Sequence, residues 1–241
     1  MHVALRSEHE HQAPCQIPHA LGAALIDLDH DDTLEVPVSN GSVFNKIKLF
    51  KTAYESDVVI SVPTMKTHIL TQVTLGLKNM KGILPDAMKK RMHRIGAKEN
   101  VLEFELDHAI ADLNSIRPPT LTIIDGFVAN EGYKPGTPGI GGTPVDFNTI
   151  VAGGDPVAVD TIGAYLMGYE PDEVRHIKYA ADKGIGTRDL NRIDVLGENP
   201  ERIRRQFKRP SIDGLIFDFK DITIIGGKGC SGCREACYIA L

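Results

Sequence analysis

Short apolar runs alternate with amphipathic stretches along this chain, and most of its predicted elements follow from that rhythm. Ala23–Leu28 reads as a strand, and Val36–Val38 and Ile47–Leu49 as short extended pieces. Thr52–Ser56 reads as a helical turn leading into Val58–Val62, a continuous apolar run of the kind found in strands buried on both faces. Pro63–His68 follows as a loop, and Thr71–Met80 fits helix and strand equally. From Glu99 to Ile116, Leu102, Leu106, Ala109, Ile110, Leu113 and Ile116 fall on one helical stripe, which Pro118 and Pro119 end. Leu121–Ile124 is a second buried strand, ending at Asp125. Residues 126–147, with six glycines and three prolines, read as a long loop.

Asn148–Ala152 reads as another strand. Asp155 then caps a helix with Pro156 at its first position, running to about Met167. A helix over Asp172–Asp182 closes at Gly184. Arg192–Leu196 and Asp221–Ile225 read as late strands, with a basic helix near Glu201–Lys208 between them. Alternating strands and helices predict an α/β fold: a mixed, largely parallel sheet flanked by helices, with a cysteine-bearing helix at the C-terminal end. The expected organisation is a poorly patterned segment (1–19), an α/β domain (20–225) and a cysteine segment (226–241). Both ends look unfinished, which fits a piece of a longer protein or a shortened reading frame.

Composition narrows the function. No apolar run reaches the roughly 18 residues of a membrane helix, and the His-rich start lacks a signal-peptide core. A cytoplasmic protein without membrane partners is expected, with reduced thiols. The net charge of −5 argues against nucleic acid as a partner. Residues 63–98 nevertheless carry eight lysines and arginines against Asp86 alone. A local positive field in an acidic protein suggests a bound anionic small molecule. For Lys89–Arg94 alone, a solvated helix face is the plainer reading, and a non-catalytic scaffold that meets an acidic partner through the basic segment 86–98 is a further one.

Ligands of open α/β sheets gather at the carboxyl ends of strands. Lys66 and His68 follow one strand, Asp125 and Glu131 another, and Asp155 a third, with Lys78, Asn79 and Lys81 nearby in sequence. Together they predict a crevice for an anion or a metal. Lys66, His68, Lys78 and Lys81 would hold the anion, and Asp125, Glu131 and Asp160 would serve as acid/base or metal-binding groups. Asp155 has the plainer reading of a helix cap, and Asp125-Gly126 that of a turn. A buried Asp160 would need a partner such as a lysine.

Cys230, Cys233 and Cys237 share one face if their segment is helical. That spacing suits an iron–sulfur cluster, with Cys15 or a residue outside the chain as fourth ligand. Structural zinc in a non-redox enzyme acting on an anionic metabolite, a redox dithiol and simple core packing are the alternatives. Gly227-x-Gly229-x-x-Gly232 formally matches a dinucleotide fingerprint, but no βαβ unit can follow it.

The runs SDVVISVPTMKTH (56–68), TLGLKNMKGILP (74–85), TIIDGFVANEG (122–132) and AGGDPVAVDTIGAYLMG (152–168) resemble the family catalogued as domain of unknown function 362. Their order and spacing agree over about residues 20–198, with GIGTRDLNRIDVLGE (184–198) fitting its downstream part. The resemblance implies an α/β domain accompanied by iron–sulfur binding, commonly 4Fe-4S, and an electron-transfer partner. It implies no settled reaction, so enzyme activity stays open. This chain departs from the family pattern in lacking an upstream α/β stretch, in Thr64, in Tyr133-Lys134-Pro135, and in having one compact cysteine cluster instead of a ferredoxin domain.

Overall fold

A computed structural model describes residues 2–5, 22–94, 105–132 and 142–210. Cys15, Cys230, Cys233 and Cys237 lie outside the described residues, as do the strand expected over 221–225 and the cysteine helix.

Strands β1 (His2–Leu5) and β2 (Ala24–Asp27) pair in parallel, and β3 (Thr33–Pro37) and β4 (Lys46–Phe50) form an antiparallel pair. Helix α1 (Lys51–Glu55) leads to the main sheet. There, β5 (Ile60–Ser61) and β6 (Thr64–His68) both run parallel to the long strand β8 (Leu121–Gly132). Strand β7 (Gln72–Thr74) flanks β6 and β9 (Gly142–Gly153) flanks β8, both antiparallel. Between β7 and β8 come α2 (Gly76–Asn79), a 3-10 turn (Met80–Ile83), α3 (Asp86–Arg94) and α4 (Glu105–Ile116). After β9 come α5 (Pro156–Leu166), α6 (Arg175–Asp182) and the short α7 (Pro200–Ile203). The α/β class expected from the sequence holds, with β5, β8 and β6 as the parallel part of the sheet.

Several local expectations are corrected. Val58–Val62 is not a strand buried on both faces: Ser61 is buried, while Val58, Ile60 and Val62 are exposed. Only two of these residues are β5, because pairing with β8 is limited to Ile60 and Ser61. Residues 64–68, expected as loop, are β6; Met65 and Thr67 point into the core, and the alternate residues point outward. The loop expected over 126–147 is mostly strand. Asp125 does not end β8, which continues to Gly132 through an irregularity between Gly126 and Val128. Residues 192–196 form no strand, and Leu196 is 95% exposed.

The core lies between the sheet and helices α2, α4, α5 and α6, around Leu77, Ile110, Leu113, Ile124, Val157 and Ile177. Helix α2 sits at its centre, and close packing fixes it there. A Cβ on Gly76 would lie 2.5 Å from Thr122 Cγ2 and 2.8 Å from Asp160 Oδ1, so only glycine fits between α5 and β8. Helix α4 buries its apolar stripe and also Asp107, Asp112 and Asn114. Its polar side therefore faces protein, and each of those groups must find partners there.

Candidate functional site

The candidate site grows from β6, β7 and the α2 segment. Lys66 on β6 stands opposite Thr74 on β7, and paired residues point to one side of a sheet. Thr74 Oγ1 accepts from Lys78 Nζ at 2.9 Å, which brings the α2 amine to the same side. One turn further on, Lys81 Nζ donates to His93 Nε2 of α3 at 2.6 Å. His68 closes the group from the end of β6. Its Nδ1 accepts the Leu70 N–H at 3.1 Å and also lies 3.1 Å from Thr71 Oγ1. That places the ring proton of neutral His68 on Nε2.

Lys78 and Lys81 are each only 8% exposed, while Lys66 and His68 are half-buried and His93 sits at the outer rim. None of the three lysines forms an ion pair with any described residue. The electrostatic result is consistent across the group. Burial, then Lys78, His93, Lys81 and Lys66, hold His68 far below the ordinary imidazole range. Burial, then Lys81 and Lys66, push Lys78 well below the ordinary amine range, with Asp107 acting the other way. Lys81 falls to about 8 through burial and Lys89. His93 falls to about 4 through partial burial, Lys81 and Lys78. His68, Lys78, Lys81 and His93 all lose affinity for protons, as groups do when like charges gather out of water.

The carboxylates expected in this crevice serve elsewhere. Asp160 is fully buried in α5, and its partners are the backbone N–H groups of Gly76 (2.7 Å) and Leu77 (2.9 Å), not a lysine. It therefore caps the start of α2, two residues before Lys78. Burial raises its pKa to about 6 despite those two bonds. Asp155 caps α5 through Val157 N and Ala158 N, and its second oxygen takes Thr187 N. Asp125 is exposed on β8 and accepts the Phe127 N–H beside the strand irregularity. Glu131 accepts the Lys208 N–H at 2.8 Å. Asn79 is exposed and donates to Ser61 Oγ at 3.1 Å. Lys66, His68, Lys78 and Lys81 thus come together, without the acids.

The sequence reading passed over Thr74 and His93. Residues Met88 and Met92 are buried and mark the inner stripe of α3, which places His93 at its margin. That signal was legible, but the basic run Lys89–Arg94 masked it.

Among the described residues, no group of three His, Cys, Asp or Glu side chains could hold a metal ion. The cluster offers amines and an imidazole N–H as donors, with no carboxylate among them in the described residues. A separate groove of about 750 Å³ runs along β9, beside α5 and residues 192–198. Ile150, Val159, Ile162 and Leu196 line it, and none of the clustered lysines and histidines does.

Comparison with known proteins adds a relative and a family. A protein of Synechocystis sp. described as thylakoid-associated is 32% identical over 132 residues, covering 53% of this chain and 38% of that protein. The chain therefore spans well under half the length of this relative. No solved structure matches. Among the described residues, no helix is long and apolar enough to cross a membrane. The family model described as domain of unknown function (DUF362) matches residues 15–165, more than half of the chain and all of the lysine cluster, and the chain belongs to that family.

Proposed function

We propose that this domain binds a small anionic molecule through Lys66, His68, Lys78 and Lys81. The observation that carries the reading is the gathering of three lysines and two histidines, two of the amines buried, with no ion pair to a described residue. Bringing such groups together without a counterion is costly, and an anion would relieve the cost. His68 Nε2–H and the amines supply the donors. Asp160 holds α2, and so the Lys78 backbone, in place.

The test is a thermal-shift series with oxalate and inorganic phosphate at matched ionic strength. One of them should raise the melting temperature saturably. Replacing Lys66 and His68 together with alanine should remove the shift without unfolding the domain. A shift that survives in the double variant contradicts the assignment.

An iron–sulfur cluster on Cys230, Cys233 and Cys237, with Cys15 or a residue outside this chain as fourth ligand, belongs to the same reading. Its support is the cysteine spacing. The cluster would exchange electrons with a partner protein. Anaerobic purification with iron, sulfide and zinc analysis tests it. A brown protein that bleaches on Cys233→Ala is expected, and a colourless zinc protein would replace the cluster with a structural metal. The cytoplasmic location is a proposal too, set against the relative named for its thylakoid association; fractionation of expressing cells decides it.

A further inference from the structure

Lys78 differs from the other clustered amines in how firmly it is held. Its helix starts on the buried Asp160 carboxylate, which takes the two preceding backbone N–H groups. The carbonyl of Leu77 accepts from Asn114 Nδ2 at 2.9 Å. Its own Nζ rests on Thr74 Oγ1. Lys66 and Lys81 flank it, and His68 and His93 complete the surroundings. Among the described residues, the carboxylate whose field favours its charge is Asp107, which is itself bonded to His176 at 3.0 Å.

A fixed amine beside other cations and screened from water is the setting in which a lysine becomes a nucleophile, because both features disfavour its ammonium form. Its direction of shift agrees with this: Lys78 is held well below the ordinary amine range.

We propose that Lys78 forms an imine with the carbonyl carbon of a small oxo acid whose carboxylate is held by Lys66 and Lys81. This rests on the anion-binding reading and names the substrate class for the same site. The Lys78 nitrogen lone pair adds to the carbonyl carbon while the carbon–oxygen π pair moves to oxygen. One amine proton ends on that oxygen, giving a carbinolamine. The hydroxyl then leaves with the second amine proton as water, and the nitrogen–carbon double bond remains. His68 Nε2–H is the donor available to the carbonyl oxygen. The imine makes the neighbouring carbon easier to deprotonate or decarboxylate, so the site suits carbon–carbon or carbon–hydrogen cleavage next to a carbonyl.

Glyoxylate with cyanoborohydride tests the step on the whole chain, followed by peptide mapping. Oxalate, which lacks a reactive carbonyl, serves as competitor. Reduction of the imine should leave a carboxymethyl group on Lys78, lost when oxalate is present and absent in Lys78→Arg. Circular dichroism of that variant checks its fold, and the wild-type map alone already decides the residue. If oxalate binds but glyoxylate leaves Lys78 unmodified, the imine is overturned and the anion site stands. Modification scattered over exposed lysines, unaffected by oxalate, overturns it as well. If oxalate neither binds nor protects, the imine falls, and the anion site falls with it when inorganic phosphate also leaves the melting temperature unchanged.

Discussion

Asp112 and Lys78 are both ionisable groups shut into one core, but the protein treats them in opposite ways. The Asp112 carboxylate accepts from the backbone N–H groups of Ser42 (2.8 Å), Val43 (2.8 Å) and Phe44 (3.1 Å), and pairs with Lys183 at 2.9 Å. Asp160 takes two backbone N–H groups, and Asp107 takes the backbone and ring N–H of His176. Each buried carboxylate is answered from within the chain. The buried amines have Thr74 Oγ1 and His93 Nε2, both uncharged acceptors. A buried charge with its partners in place is architecture: it ties loop 42–44 to α4, or α2 to α5. Buried amines with no countercharge among the described residues weaken the empty fold, and on the anion-binding proposal a ligand supplies that charge.

The difference can be broken by substitution. Asp112→Ala strips three N–H donors and Lys183 of their acceptor, and should cost about 3–5 kcal/mol in urea unfolding. Lys78→Met should do the reverse. Without ligand it should leave stability unchanged or raise it by about 1–2 kcal/mol, while oxalate binding is lost. A large loss of stability in Lys78→Met would put it in the same class as Asp112. Gly76→Ala presses on Thr122 and Asp160 and should cost about 1–3 kcal/mol, with oxalate affinity falling as α2 shifts.

Acidity sharpens the comparison. The folded pKa of Lys81, about 8, lies below its ordinary value of 10.5. Between these two values the unfolded chain binds more protons than the folded one, so the stability of the empty protein rises with pH through that window. Oxalate needs the charged amine, so its affinity should fall by roughly tenfold per pH unit above about 8. Stability and affinity moving in opposite directions over this range is the expected signature, read by urea melts and oxalate titrations in parallel. The smallest effect belongs to Asp155→Ala, which removes a helix cap for about 1 kcal/mol and should leave oxalate binding unchanged.

How much of this was legible in the sequence follows from which interactions are local. Asp155 and α5 were readable because a cap and its helix are neighbours in the chain. The basic character of residues 63–98 pointed to Lys66, Lys78 and Lys81 before any geometry was available. The place of the acids was not readable. Asp160 meets Gly76 across 84 positions, and Asp112 meets Phe44 across 68, so no spacing rule links them. On a helix with a clear apolar stripe, Asp112 reads as a solvent-facing residue, yet a second layer of chain covers it. Strand β8 was cut short at Asp125 because Asp-Gly is a turn signal. Ten paired positions with β9 outweigh that local preference.

The most direct measurement is calorimetric titration of oxalate at pH 8, in two buffers of different ionisation enthalpy, on the wild type and on Lys66→Ala/His68→Ala. A cluster waiting for an anion should bind oxalate at one site with net proton uptake, because the new negative charge restores the proton of Lys81, whose folded pKa is about 8. The double variant should show neither. No binding of oxalate or of inorganic phosphate in the wild type, or equal binding without proton uptake in both proteins, would contradict the claim that the countercharge comes from outside.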